Sequence, residues 1–78
     1  MALFDEIKKM IVKEFALDDD EVLPEAHLQD DLGGDSLCIL NLSEAIGKRY
    51  GIKLQADELV ETENVAELVE LVKSKIPH

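Results

Sequence analysis

The chain has 78 residues, of which 46% are hydrophobic and 33% are charged, so residues 1–78 suit one small folded domain rather than a disordered segment. Eight basic and 18 acidic residues give a net charge of −10, which argues against nucleic acid and anionic membranes as partners and favours a basic protein surface. One cysteine cannot form an internal disulfide and indicates a reducing compartment.

Neither a membrane segment nor a metal site is indicated by the sequence. No apolar run approaches the length of a membrane-spanning helix, and the first ten residues already carry charge, so we expect no signal peptide and no membrane insertion. The potential zinc ligands His27, Cys38 and His78 are too few and too scattered for a zinc site. We therefore expect a cytoplasmic monomer without a bound metal.

Residues 2–16 are predicted to form an amphipathic helix, because apolar residues recur there at spacings of three and four. Residues 17–35 follow as a long connection in which Pro24 and the pair Gly33-Gly34 argue against regular structure. A solvated linker would not contain five large aliphatic residues, so we expect this loop to be pinned against the core. The apolar residues of the helix are Phe4, Ile7, Ile11 and Phe15, and those of the loop are Leu17, Val22, Leu23, Leu28 and Leu32.

Residues 36–50 are predicted to form the second helix, with Asp35 as N-cap and Gly51 as the residue that ends it. Spacings of three and four again define an apolar face, which we expect to be buried. That face consists of Ile39, Leu42, Ile46 and Tyr50. The opposite face carries more aliphatic side chains than a purely solvated surface needs, and consists of Leu37, Leu40, Asn41, Glu44 and Lys48.

The remaining helices are predicted at 57–61, as a single turn, and at 65–76. Asn64 and Glu67 resemble a capping box at the start of the last helix, and Pro77 is expected to close it. No segment shows the alternation typical of strands. We therefore predict an all-α fold, a small four-helix bundle with three longer helices, one short helix and a long first loop. The apolar stripe of the last helix consists of Val65, Leu68, Val69, Val72 and Ile76.

The tetrapeptide at 34–37 permits two interpretations of its serine, Ser36. It spells the GDSL signature of a hydrolase family, but a serine nucleophile needs a general base and an orienting acid. Only His27 and His78 are available, and no Asp-x-x-His follows, so we predict no catalytic residue and no enzyme activity. Alternatively, Ser36 begins a helix, where a phosphate ester would be stabilised by the helix dipole and free backbone N–H groups. On this pattern alone, Ser36 could also be an ordinary helix-start residue.

A longer motif favours the second interpretation. The segment 32–37, Leu-Gly-Gly-Asp-Ser-Leu, resembles the L-G-x-D-S-L motif of acyl carrier proteins. The likeness covers the whole chain, including the long aliphatic loop, the Tyr-Gly-Ile after the second helix, the short third helix, the length and the acidity.

The resemblance implies that a phosphopantetheinyl transferase esterifies Ser36 with 4′-phosphopantetheine. The chain then holds an acyl group as a thioester and presents it to enzymes of fatty acid, lipid or polyketide-type biosynthesis. The resemblance also implies that Asp35 and Leu37 belong to the cofactor site with Ser36, that Asp35 helps engage the transferase and that Leu37 contacts partners. We expect the other residues of the same helix face to bind partners together with Leu37, namely Leu40, Asn41, Glu44 and Lys48. We expect the tail to be shielded between the helices, because each buried CH₂ contributes roughly 0.8 kcal/mol. The predicted lining consists of Ile39, Leu42, Ile46, Val60, Val65 and Leu68.

The chain departs from the family in its charge pattern. Acyl carrier proteins of fatty acid synthesis have a strongly acidic second helix, whereas residues 36–50 contain only one acid, Glu44, against Lys48 and Arg49. The acids instead cluster in 14–35, which holds nine, and in 55–70, which holds six. Loss of carboxylates opposes a basic partner, so we predict a specialised carrier that serves acyl-activating or acyl-transferring enzymes of a dedicated pathway.

Some alternatives remain open on the sequence. The chain could be an unmodified acidic helical interaction module, or a carrier of amino-acyl or peptidyl groups. Cys38 is expected to be a small buried residue, although it could also be a second thiol near the arm. The acidic run 18–21 lacks the glycine and glutamate of an EF-hand, and we interpret it as a solvated loop. His27 is expected to be a loop residue.

Overall fold

A computed structural model describes residues 2–76. It contains four α-helices and a short 3₁₀ turn, and no strand occurs between residues 2 and 76. The predicted all-α fold with three longer helices and a short one is confirmed. The predicted bounds differ by one residue for three of the helices, and Pro77, predicted to close the last helix, lies outside the described residues. The elements are α1 (Ala2–Phe15), the 3₁₀ turn (Asp19–Glu21), α2 (Ser36–Tyr50), α3 (Ala56–Val60) and α4 (Val65–Lys75).

The core is built from the apolar stripes of the helices. α1 packs against both α2 and α4, and α3 packs against α2. Where a helix buries more than one apolar side chain, these side chains lie at the predicted spacings of three and four, and Ser43 of α2 is buried beside them. The buried apolar side chains are Ile7 and Ile11 from α1, Ile39, Leu42 and Ile46 from α2, Leu59 from α3, and Val65, Leu68 and Val72 from α4.

Local capping fixes where the helices begin and end. The Asn64 side chain accepts a hydrogen bond from the Glu67 N–H at 2.9 Å, as predicted. The reciprocal half of the predicted capping box is wrong, because the Glu67 carboxylate accepts from the Glu63 N–H at 3.0 Å instead. At the end of α2, Gly51 has a φ of 65°, the left-handed conformation that favours glycine at this position.

The long first loop is pinned to the core, as predicted. Its residues Val22, Leu28 and Leu32 are buried, and its backbone is tied to the start of α4. The Ala26 carbonyl accepts from the Val65 N–H at 3.0 Å, and the Pro24 carbonyl accepts from the Ala66 N–H at 2.9 Å.

Two aliphatic residues lie outside the core, contrary to prediction. Leu23 is 47% exposed. The chain turns directly after it, and the residues on either side of this segment, Val22 and Ala26, are buried in its place. Val60, predicted to line the acyl space, is 46% exposed. α3 is too short to bury more than one side of its single turn, and Leu59 occupies that side. The other five predicted lining residues are buried in the core.

His27 and the acidic run 18–21 both form hydrogen bonds within the long first loop. The Nδ1 atom of His27 accepts hydrogen bonds from the N–H groups of Gln29 and Asp30, each at 3.1 Å, which confirms its predicted place in the loop. The acidic run forms the 3₁₀ turn, closed by a hydrogen bond from the Asp18 N–H to the Glu21 carboxylate at 3.1 Å. Within residues 2–76, no group of three or more His, Cys, Asp or Glu side chains could hold a metal ion.

The lengths and compositions of the helices show whether any of them could span a membrane. Across the described part of the chain, none of the helices combines the length and the apolar character needed to cross a bilayer.

Candidate functional site

The turn that leads into α2 is held between the ring of Phe15 and the backbone of Leu28. Gly34 is buried, and a Cβ atom there would lie 2.5 Å from Cε2 of Phe15 and 2.8 Å from the carbonyl oxygen of Leu28. The Gly34 N–H also donates a hydrogen bond to that carbonyl at 2.8 Å. Only glycine fits this close approach, so the end of α1 determines where the backbone enters α2.

Asp35 is the N-cap of α2, as predicted. Its carboxylate accepts a hydrogen bond from the Cys38 N–H at 2.8 Å, and its carbonyl accepts from the Ile39 N–H at 3.0 Å. The hydrogen bond from the Cys38 backbone lowers the pKa of Asp35 below its usual value. Asp35 is therefore ionised at neutral pH and satisfies one of the unpaired N–H groups of the first helical turn.

Ser36 is the first residue of α2 and is exposed to solvent. The predicted position of its hydroxyl, on the surface at the positive end of the helix dipole, is confirmed. No hydrogen bond joins this hydroxyl to another side chain or backbone group of residues 2–76. The Nδ1 atom of His27 instead accepts from the loop backbone, and no hydrogen bond joins His27 to Ser36 in the described part of the chain.

The burial of Cys38 differs from the prediction. It is partly exposed rather than buried, because Cys38 lies on the flank of α2 beside the core face. A hydrogen bond with Asp35, and to a smaller extent burial, raises the pKa of the Cys38 thiol above its usual value. The thiol is therefore protonated at neutral pH, and a protonated thiol is a poor nucleophile.

The predicted partner-binding residues share one exposed face of α2. Leu37 is 64% exposed and Leu40 is 44% exposed, an unusual exposure for two leucines on one helix face. The polar members of the face are also exposed. They are Asn41, Glu44 and Lys48. The structure thus brings all the predicted site residues onto α2 or its N-cap, while their partner-binding role stays a prediction.

A polar cluster of Glu6, Arg49 and Tyr50 was not predicted from the sequence. The Glu6 carboxylate of α1 accepts hydrogen bonds from the Tyr50 hydroxyl at 2.7 Å and from the Arg49 guanidinium at 3.2 Å. The hydrogen bond from Tyr50, followed by that from Arg49, lowers the pKa of Glu6 below its usual value. The sequence shows an acid beside the apolar stripe of α1 and an Arg-Tyr pair at the end of α2. Only the antiparallel packing of the two helices makes them neighbours.

The exposed serine suits a covalently attached group. Its hydroxyl lies on the surface, the adjacent cap is formed by another residue, and the surrounding turn is held by Gly34 and Phe15. An ester at this position leaves the cap and the core contacts intact. This geometry fits the carrier role that the resemblance of segment 32–37 implies.

The comparison with known proteins identifies the family. Residues 5–72 match the family described as Phosphopantetheine attachment site. The chain is 34% identical over 73 residues to an acyl carrier protein of Campylobacter lari, covering 90% of this chain and 95% of that one. It is also 34% identical over 74 residues to an acyl carrier protein of Petrotoga mobilis, covering 95% of this chain and 87% of that one. The chain therefore belongs to the acyl carrier protein family, whose members are carriers with covalently attached 4′-phosphopantetheine.

Proposed function

We propose that Ser36 is the residue to which 4′-phosphopantetheine is attached, and that the chain presents an acyl group to partner enzymes. The observation that carries this proposal is the exposed Ser36 hydroxyl at the start of α2, inside the matched region. When bound, the group supplies a terminal thiol that holds the cargo as a thioester. The chain's own residues position the serine and contact partners, and they catalyse no step.

Each residue near the hydroxyl has a distinct task in this proposal. Asp35 holds the first turn of α2 in place and engages the transferase. The helix N-terminus stabilises a phosphate on Ser36 by roughly 0.3–1 kcal/mol, the range for a charge at an exposed helix end. Leu37 and Leu40 offer apolar contacts to the transferase and to later partners, since exposed leucines on one face mark an interaction surface.

The charge of the exposed α2 face supports a specialised role. Its only acid is Glu44, and Lys48 lies one turn further along the same face. A partner that recognises carboxylates along this helix finds few of them here. We propose that the partners are acyl-activating or acyl-transferring enzymes of a dedicated pathway.

The attachment is tested by intact-mass measurement after incubation with coenzyme A and a broad-specificity phosphopantetheinyl transferase. The expected result is the addition of one phosphopantetheinyl unit to the natural chain and none to Ser36→Ala. Ser74→Ala is the matched control, because Ser74 is also exposed and helical, and this variant should be loaded normally. Loading of Ser36→Ala, or failure to load the natural chain with any transferase, would contradict the proposal. That failure would favour an unmodified interaction module.

The specialised role needs a separate test. The loaded chain and a loaded acyl carrier protein of ordinary acidic α2 composition are supplied to a ketosynthase of fatty acid elongation. We expect markedly slower turnover with this chain. Equal turnover would contradict the dedicated role while leaving the attachment at Ser36 untouched. The mass of the cargo carried in the producing cell then distinguishes an acyl group from an amino-acyl or peptidyl group.

A further inference from the structure

A second surface feature lies beside the exposed face of α2. An open groove of about 380 Å³ runs between α1 and the C-terminal end of α2. It is lined by Glu6, Lys9, Met10, Lys13 and Arg49. Three of these five residues are basic, whereas the whole chain has a net charge of −10. This groove is therefore a locally positive region on an acidic protein.

The positive charge of the two lysines in the groove is available to a ligand, whereas Arg49 is paired with Glu6. Glu6 already binds Arg49 and Tyr50, so this one acid is engaged with its own neighbours. Lys9 and Lys13 are exposed and lie one turn apart on the same side of α1. Within residues 2–76, neither lysine forms an ion pair. Their ammonium groups are thus free to meet carboxylates from outside the chain.

The groove adjoins the surface proposed for partner contact. Arg49 lines the groove, and the preceding residue, Lys48, belongs to the exposed face of α2. A partner that covers the exposed face from Leu37 to Lys48 therefore reaches the C-terminal end of α2, where Arg49 borders the groove. The acids of the chain lie mainly elsewhere, in 14–35 and 55–70.

We propose that this groove receives an acidic segment of the partner protein that docks on α2. The inference rests on the proposed function, because the same partner occupies both surfaces. Carboxylates of the segment pair with Lys9 and Lys13. The methylene groups of its acidic side chains pack on Met10, a side chain that adapts to different shapes. Elsewhere the net charge of the chain repels an acidic segment, so the groove fixes the orientation of docking.

Other occupants fit the observations less well. A long polyanion is repelled by the overall charge of −10. A small anion has little to hold it, because the lysines are exposed and the groove is open rather than enclosed. A second copy of the chain brings the same net charge of −10 and is repelled in turn.

The experiment uses the full-length chain, labelled with ¹⁵N, and a short polyglutamate peptide as the probe. We expect saturable amide shifts at Lys9, Lys13 and Arg49 that weaken as salt is added. Lys9→Gln and Lys13→Gln should each weaken binding of the peptide about two- to fivefold, the range for an exposed ion pair. Lys73→Gln removes the same charge from the exposed surface of α4 and should change the affinity by less than about 1.5-fold.

Several results would overturn the inference. These are an absence of shifts in the groove, equal effects of Lys13→Gln and Lys73→Gln, or equal shifts with inorganic phosphate, which would make the groove a small-anion site. Shifts that depend on protein concentration without peptide would indicate a second copy of the chain. Transferase loading of Ser36 is measured separately. Loss of loading with retained peptide binding contradicts the proposed function alone, and the reverse contradicts the groove alone.

Discussion

The two ends of α2 are fastened to α1 by different chemistry. At the start of α2, the Phe15 ring lies against the backbone of Gly34, where no side chain fits. At the other end, Glu6 binds Arg49 and Tyr50 through polar groups that are partly exposed to solvent. Shape and backbone hydrogen bonds therefore fix the end that bears Ser36, whereas charges that salt can screen hold the end that adjoins the basic groove.

This difference corresponds to what each end is proposed to do. An attachment point benefits from a fixed position, because a transferase must bring its reacting atoms close to one hydroxyl. A docking surface needs to meet charges on a partner, and exposed side chains can rearrange to do so. Substitutions at each end of α2 can show whether the two ends differ in this way.

The largest effect is expected for Gly34→Ala. The added Cβ would meet both the Phe15 ring and the Leu28 carbonyl, and overpacking of this kind costs about 1–3 kcal/mol of unfolding free energy. Urea denaturation measures the loss. Adding Phe15→Leu to the Gly34→Ala chain should restore part of the lost stability, because the smaller leucine side chain leaves space for the added Cβ atom. A Gly34→Ala chain as stable as the natural one would show that the turn is not held by close approach.

Asp35→Ala should have the next largest effect. Loss of an N-cap lowers the folding equilibrium constant roughly fivefold, and here it also frees the first turn of α2. Asn64→Ala removes the equivalent cap of α4 and is the matched control. Amide exchange should accelerate around Cys38 in the first variant and around Glu67 in the second. Acceleration at the same sites in both variants would contradict local control of the Ser36 end.

The lowered pKa of Asp35 predicts a pH dependence of stability. Because the folded state lowers this pKa, the ionised group stabilises the fold above the ordinary aspartate pKa of about 3.9. That contribution is lost as the pH falls through the lowered value. Asp35→Asn keeps a side-chain oxygen but no titrating group, so its stability should fall less steeply below about pH 4. Parallel acid unfolding curves for the variant and the natural chain would contradict this.

The smallest effect is expected for Tyr50→Phe. It removes the hydroxyl that donates to Glu6 and should cost about 1 kcal/mol or less, since Arg49 still binds the same carboxylate. Urea denaturation measures the change, and amide exchange near Ser36 should stay as in the natural chain. Faster exchange at Ser36 would show that the two ends of α2 are coupled rather than separate.

The sequence allowed α2 to be predicted at its observed bounds, since the signals are local. Asp35 and Gly51 are residue types that cap helices, and the apolar spacing of Ile39, Leu42 and Ile46 defines a buried face. The exposure of Ser36 follows from its place next to the cap. These features need no knowledge of how the helices are arranged.

The remaining features depend on tertiary packing. Leu23 and Val60 have the composition of core residues, but a turn and a one-turn helix leave them on the surface. The partial exposure of Cys38 follows from its place on the flank of α2, beside the core face. The Glu6 cluster and the basic groove unite residues from opposite parts of the sequence, and no local pattern indicates such a pairing.

Fragmentation mass spectrometry, which localises the attached group on the chain, is the decisive test of Ser36 as the attachment point. The natural chain is incubated with coenzyme A and transferase, digested, and the modified peptide is sequenced. We expect the added mass on Ser36 and on no other side chain. An added mass on Ser43, on Ser74 or on Cys38 would contradict it.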